Sequence, residues 1–319
     1  MEKNGGHMDK LKFAMYWAAS CGGCEIAMLD INEKILDVVG LADIVFWPVA
    51  MDVKYKDVEA MPNKSIDVCF FNGAIRTSEN EHMAKVLREK AKILIAFGSC
   101  AHEGDVVGLA NLWNRDAVFE RAYKETQSTA NPNSVLPQTS VQVNEGELTI
   151  PEFYDTVKTL DQTVDVDYYM YGCPPQPKLI VAAVEAIAKN QLPPKGSSLG
   201  PNKSICDECY REKKDRKLNE IKRIYEIDDD ETTCFWDQSV ICMGPATRAG
   251  CGAQCLQVNI PCTGCQGPGP GVLEQGSALI TALSSITVDD KVLDQIIDPI
   301  GTFYKYSLAH SILRRRRLK

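Results

Sequence analysis

Thirteen cysteines in 319 residues are the most chemically loaded feature of this sequence. Six of them, Cys234, Cys242, Cys251, Cys255, Cys262 and Cys265, fall in the stretch Thr233 to Gly271, and the pair Cys206 and Cys209 precedes it. The rest of that stretch is largely glycine, proline and small residues. It keeps neither a helical nor a strand period, so burial of an apolar face cannot be what orders it. A group bound to the sulfurs would. Thiolates are soft donors that suit zinc or iron–sulfur clusters, and both take four of them. These eight cysteines are enough for two such sites.

Four more cysteines, Cys21, Cys24, Cys100 and Cys173, lie far apart in the first half. The elements that carry them explain how they could meet. Apolar runs at Lys10 to Ala18, Asp43 to Val49, Ile66 to Phe71, Lys92 to Phe97 and Asp165 to Tyr171 read as strands. Helical spacing follows in IAMLDINEKILDVV, in Ser78 to Ala91 and in Gln176 to Lys189, with Ser78 and Glu81 placed as a capping box. Such alternation predicts an α/β fold with a mostly parallel, doubly wound sheet. Cys21 and Cys24, Cys100 and Cys173 each stand just past the carboxyl end of a predicted strand. In an open parallel sheet those ends share one edge, where ligands collect. A third four-sulfur site is therefore expected there. Cys69, inside the apolar strand IDVCFF, is left over and reads as a small buried hydrophobe.

Asn131 to Glu147 is a polar excursion without a clear period. The proline, glycine and serine run after Asn190 marks a domain boundary, giving 1–190 as the sheet domain and 191–319 as the cysteine-rich one. A charged stretch from Tyr210 to Ile227 looks helical. Residues beyond Gly276 are expected to cover the metal sites or a partner surface.

The net charge of −8 argues against a nucleic-acid partner; the basic run Arg314 to Arg317 reads as a solvated terminus or a contact with an acidic subunit. No apolar run is long enough to span a membrane, and the N-terminus carries neither an apolar signal core nor twin arginines, so a cytoplasmic location is expected. In that reducing compartment disulfides are disfavoured and metal binding is the default. Zinc is the simpler occupant of the two CxxC pairs at 206–209 and 262–265. Against it, the single cysteines at 234, 242, 251 and 255 have no place in one zinc ribbon, and ligands scattered over sheet loops are unusual for structural zinc.

CGGCE at 21–25, GSCA at 98–101 with GLANLW at 108–113, GCPP at 172–175, and the run from Cys234 through PCTGC to GPGPG occur together and in this order. The chain thereby resembles the small subunit of nickel–iron hydrogenases, in particular the gamma-type subunit of the F420-non-reducing (methyl-viologen-reducing) enzymes of methanogens. The resemblance spans nearly the whole chain. It implies a flavodoxin-like domain followed by an irregular iron–sulfur domain, no catalytic residue of its own, and electron relay from a hydrogen-splitting large subunit. It also implies a proximal cluster on Cys21, Cys24, Cys100 and Cys173, a medial one on Cys251, Cys255, Cys262 and Cys265, and a distal one on Cys206, Cys209, Cys234 and Cys242.

Cys206 stands where many members have histidine, and Cys255 where many have a proline and a three-iron cluster, so three [4Fe–4S] clusters are expected. The implied outlet is an iron–sulfur linker subunit and heterodisulfide reductase. The gamma-type chain of the F420-reducing enzyme is the neighbouring alternative, and a zinc-bearing scaffold the one from a different class. The related quinone-site subunit of respiratory complex I lacks the eight downstream cysteines. Glu25 is either a first-turn charge or a participant in proton movement, and His102, in an unusually polar run after Cys100, is either a hydrogen-bonding neighbour of the cluster or, as expected here, a surface residue.

Overall fold

The computed structural model describes residues 10–313 apart from 215, 216 and 229; the basic run at 314–317 lies outside the described residues. In chain order the strands are β1 (Leu11–Trp17), β2 (Ala42–Phe46), β3 (Ile66–Asn72), β4 (Ile75–Thr77), β5 (Ala91–Phe97), β6 (Ser140–Val143), β7 (Gly146–Thr149), β8 (Phe153–Lys158) and β9 (Tyr168–Met170). Five of them form one parallel sheet in the order β2-β1-β3-β5-β9. Counted among themselves this is the flavodoxin-like order 2-1-3-4-5, whose reversal point lies between β1 and β3. Two antiparallel pairs, β4 with β8 and β6 with β7, stand apart from it.

The central strands are buried on both faces, which is why they read as continuous apolar runs. Their side chains alternate between two cores. Phe13, Met15, Val68, Phe70, Ile95 and Phe97 face one, covered by the helices Gly23–Leu29, Lys34–Leu41 and Pro177–Ala188. Ala14, Tyr16, Cys69, Phe71, Leu94 and Ala96 face the other, under the helix Ser78–Lys90. A third core, built on Ile205, Phe235, Trp236, Leu256, Leu279 and Leu283, belongs to the cysteine-rich half. This is the expected α/β sheet followed by an irregular segment.

Several local expectations change. The single helix foreseen over 26–39 is two, because Asn32 in the polar DINE run takes a left-handed conformation (φ 54°) and breaks the helical path. The cap of Ser78–Lys90 lies one residue earlier: the Asn80 N–H donates to Thr77 Oγ1 at 3.3 Å, and the Thr77 N–H to Asn80 Oδ1 at 3.1 Å. Ser78 Oγ instead accepts from the Glu152 N–H at 3.0 Å, tying down the start of β8. The last sheet strand is only three residues long. The excursion at 131–147 contains β6 and the start of β7.

The charged stretch at 210–227 is not a helix. Among its described residues only the short 3-10 turn Ile224–Glu226 is helical. Its amides go instead to distant partners: Glu212 N–H to Thr232 O, Leu218 N–H to Ile286 O and Lys222 N–H to Ser239 O, at 2.8 to 2.9 Å. The run after Asn190 is also pinned, with the Leu199 N–H donating to Tyr169 O at 2.8 Å on the free edge of β9.

Cys69 is fully buried in β3, and burial pushes its thiol up to about 12, with Arg88 opposing. It packs as an apolar group. Cys69→Ala should therefore cost about 1 kcal/mol in denaturant unfolding and leave the iron content of the purified protein unchanged; loss of iron would show that this thiol is a ligand.

Candidate metal centres

The first set forms where three loops leave the carboxyl edge of the sheet. Cys24 sits in the first turn of the helix after β1, Cys100 in the first turn of the helix Ser99–Glu103 after β5, and Cys173 in the loop after β9. Gly98 (φ 84°) makes the approach possible: a Cβ there would overlap Cys24 Sγ and lie 3.5 Å from the Gly172 carbonyl. Ser99 locks the β5 and β9 loops, its N–H donating to Gly172 O at 2.9 Å and its Oγ accepting from the Gly172 N–H at 3.3 Å. Burial pushes the Cys100 thiol far up, and Asp105, Cys24, Cys173 and Cys21 add to the effect. All four predicted sulfurs thus share one electrostatic neighbourhood.

Seven of the eight downstream cysteines fall into two groups, and Cys262 lies between them, next to both Cys242 and Cys265. Cys206, Cys209, Cys234 and Cys242 line one small cavity with Arg211, Phe235 and Trp236. Burial pushes the Cys242 thiol up to about 12; amides of Gly244 and Cys262 oppose this, and Cys206 and Cys234 reinforce it. In the other group burial likewise pushes Cys265 up to about 12, with Cys251 and Cys255 adding to it. Glu208 holds the Cys251 loop by accepting from the N–H groups of Gly250 and Gly252 at 3.1 and 2.8 Å. Gln275 opens the helix Gln275–Ile286 and donates to Gly264 O and Gly267 O at 2.9 and 3.1 Å, fixing the turn that bears Cys265.

Neighbouring groups touch. Ser99 Oγ donates to the Cys265 carbonyl at 3.1 Å, and the Cys265 charge reinforces the rise of the Cys173 thiol. The Cys262 N–H donates to Cys242 Sγ at 3.3 Å. The set on the sheet edge therefore adjoins the 251–265 set, which adjoins the 206–242 set. Such amide–sulfur bonds and thin glycine backbone suit anionic sulfur around a cationic core.

The sequence did not single out most of the polar residues packed around these sulfurs. Glu25 is buried; Trp47 Nε1 donates to its Oε2 at 2.5 Å and Asn72 Nδ2 to its Oε1 at 3.3 Å. Burial raises its carboxyl above the usual range, against those two bonds, so this first-turn residue is a fixed interior group. Burial also raises Asp105, with the Val106 N–H and Cys173 opposing. Arg211 is buried beside the 206–242 cavity, donating to Thr233 O at 2.9 Å and Asn259 Oδ1 at 2.6 Å, with its guanidinium 4.1 Å from the Phe235 ring centre. His102 is buried too, contrary to the surface position expected of it. Its ring packs against Tyr169 and Tyr171, and Nε2 meets the Tyr171 hydroxyl at 3.2 Å. The polar run AHEGD was the signal. Its composition suggested solvent, but its residues turn inward under the C-terminal segment.

The family described as NADH ubiquinone oxidoreductase, 20 Kd subunit, matches residues 21–187, which is the sheet half alone. The iron–sulfur subunit of the F420-non-reducing hydrogenase of Archaeoglobus profundus is 44% identical over 97% of this chain and 99% of its own length. The chain belongs to the nickel–iron hydrogenase small-subunit family. The corresponding chain of the F420-non-reducing hydrogenase of Methanothermobacter marburgensis is 38% identical, over 96% of each chain. Among solved structures, a [NiFeSe] hydrogenase of Desulfovibrio vulgaris Hildenborough aligns with a TM-score of 0.50 at 17% identity, over 82% of this chain and 95% of that one, a likeness of fold. As a hydrogenase small subunit the chain is part of an oxidoreductase and pairs with a large subunit. Small subunits of this kind carry iron–sulfur clusters and serve in electron transfer.

Gly98→Ala should displace Cys24 and cost the protein about four iron atoms per chain, measured as acid-labile iron and sulfide. Gly40→Ala, where a Cβ meets nothing within 4 Å, is the control and should lose none.

Proposed function

We propose that this chain relays electrons from hydrogen oxidation in a [NiFe] large subunit through three [4Fe–4S] clusters. Cys21, Cys24, Cys100 and Cys173 would hold the proximal one, Cys251, Cys255, Cys262 and Cys265 the medial one, and Cys206, Cys209, Cys234 and Cys242 the distal one. Bound there, the clusters supply one-electron redox chemistry. The protein's part is to hold them in line, exclude water and set the charge around each.

The observation that carries this reading is the continuity of the three groups, through Ser99 and Cys265 at one junction and Cys262 and Cys242 at the other. Spacing favours clusters over zinc. Four thiolates on one zinc ion bring their sulfurs to about 3.8 Å from one another. Among the described residues no three cysteine sulfurs lie within 4.8 Å of one another; the one ligand trio that does is His102, Asp161 and His310. A cubane, with its four irons at separate corners, holds its thiolates wider apart.

Cys255 supplies a fourth thiolate for the medial site, and Cys206 completes an all-thiolate distal shell, which lowers the potential relative to a histidine-bearing one. In this reading the division falls after residue 190, with the proximal cluster in 1–190 and the other two in 191–319. The outlet is an iron–sulfur linker subunit leading to heterodisulfide reductase, in the cytoplasm. The names of the relatives, which are chains of F420-non-reducing hydrogenases, support this outlet over a flavin-bearing one. No helix among the described residues is long and apolar enough to cross a membrane.

Analysis of the complex purified through this chain should give about twelve iron and twelve sulfide per copy beyond the metal and sulfide of the other subunits. Cys255→Ala should convert one [4Fe–4S] signal into an oxidised three-iron signal in EPR and leave the other two clusters. Zinc in place of iron, with a colourless preparation, overturns the reading.

A further inference from the structure

His102, Asp161 and His310 come from three distant parts of the chain, yet their donor atoms all lie within 4.8 Å of one another. His310 Nε2 is 3.6 Å from Asp161 Oδ2. Tetrahedral coordination by imidazole nitrogen and carboxylate oxygen sets donor atoms about 3.4 Å apart, so the His310–Asp161 pair is already near that spacing and His102 must close in on it from within 4.8 Å. Two imidazoles and a carboxylate form a donor set suited to a borderline divalent cation, with one position left open.

The surroundings are those of a built site. His102 is only 6% exposed, and its Nδ1 is buried without a hydrogen-bond partner, although Nε2 has the Tyr171 hydroxyl. An imidazole nitrogen left unsatisfied in the interior is costly and calls for a partner. Asp161 is held from both sides: Thr159 Oγ1 donates to Oδ1 at 2.5 Å, and the Tyr169 hydroxyl to Oδ2 at 3.4 Å. Supporting bonds of this kind orient metal ligands.

The segment that carries His310 is pressed against the sheet half. Gln162 Nε2 donates to Ala309 O at 3.0 Å, and a Cβ at Gly104 would lie 2.5 Å from Ala309 Cβ. The same segment reaches the Cys262–Cys265 turn, where the Tyr306 and Thr263 hydroxyls are 3.0 Å apart.

We propose that His102, Asp161 and His310 bind a single zinc ion, which clamps the C-terminal segment across the junction between the sheet half and the cysteine-rich half. The site contains no cysteine and is independent of the cluster assignment. It differs from an ordinary His310–Asp161 ion pair in requiring His102 and in holding metal.

The test uses the complex purified anaerobically through a tag on this chain, equilibrated with micromolar zinc chloride and then dialysed against metal-free buffer. Zinc and iron are counted by mass spectrometry for the wild type, Asp161→Asn and His310→Gln. The expected result is about one zinc per chain more in the wild type than in either variant, at equal iron. Equal zinc in all three overturns the proposal and leaves an ion pair only. Iron reports on the clusters separately, so the two readings fail independently.

Discussion

Sulfur gathered at shared, mostly half-buried sites is the constraint on which this structure depends. Burial drives the thiols of Cys24, Cys100, Cys173, Cys242 and Cys265 upward, and in every case neighbouring cysteines push further in the same direction. Bringing four thiolates together without a counter-charge would cost more than the apolar packing around them returns. A cationic inorganic core reverses the sign of that account, because each thiolate then gains a bond as well as a partner of opposite charge. On the proposed assignment the cysteine-rich half, whose backbone has little regular structure, would be ordered by ligation and by its own small core together.

The sheet solves a different problem. It must bring cysteines separated by most of a domain to one place with little strain, and the shared carboxyl edge of parallel strands does so by topology alone. Gly98 and Ser99 finish the placement: the glycine removes a side chain that would occupy the position of the Cys24 sulfur, and the serine joins the β5 loop to Gly172 on one side and to Cys265 on the other. One dipeptide therefore closes the first sulfur set and fastens it to the second.

The parts of the molecule legible in the sequence were those governed by short-range pattern. β1, β3 and β5 read as strands because each is buried on both faces, and the twelve ligand candidates stood out because cysteine spacing is sparse and discrete. Where long-range partners decide the conformation, sequence reading went astray. The charged stretch at 210–227 has helix-forming composition, but its amides are taken by Thr232, Ser239 and Ile286, residues that local propensity cannot weigh. Thr77 caps in place of Ser78 because Ser78 is engaged by Glu152, far along the chain. His102 lies in a run whose polarity signals solvent, but the C-terminal segment folds over it, and nothing near it in sequence announces His310. Arg211 is another such case, one charge among several whose burial follows from carbonyls supplied by Thr233 and Asp230.

The fixed charges differ at the two ends of the line of sulfurs. Beside the sheet-edge set stand Glu25 and Asp105, carboxyls whose ionised forms burial disfavours. Beside the 206–242 set stands Arg211, whose guanidinium lines the same small cavity. An electron added to an anionic cluster is favoured by a nearby guanidinium, most strongly where water is excluded, and gains no such help from carboxyls that burial holds toward their neutral form. On the proposed assignment this polarity runs from the end nearest the hydrogen-splitting partner to the end that meets the acceptor. The all-thiolate shell that Cys206 would complete on that assignment works against it, because a fourth thiolate makes the distal site harder to reduce. Arg211 acts in the opposite sense, so on that assignment the potential of the distal site would be set by the balance between its fourth thiolate and this guanidinium.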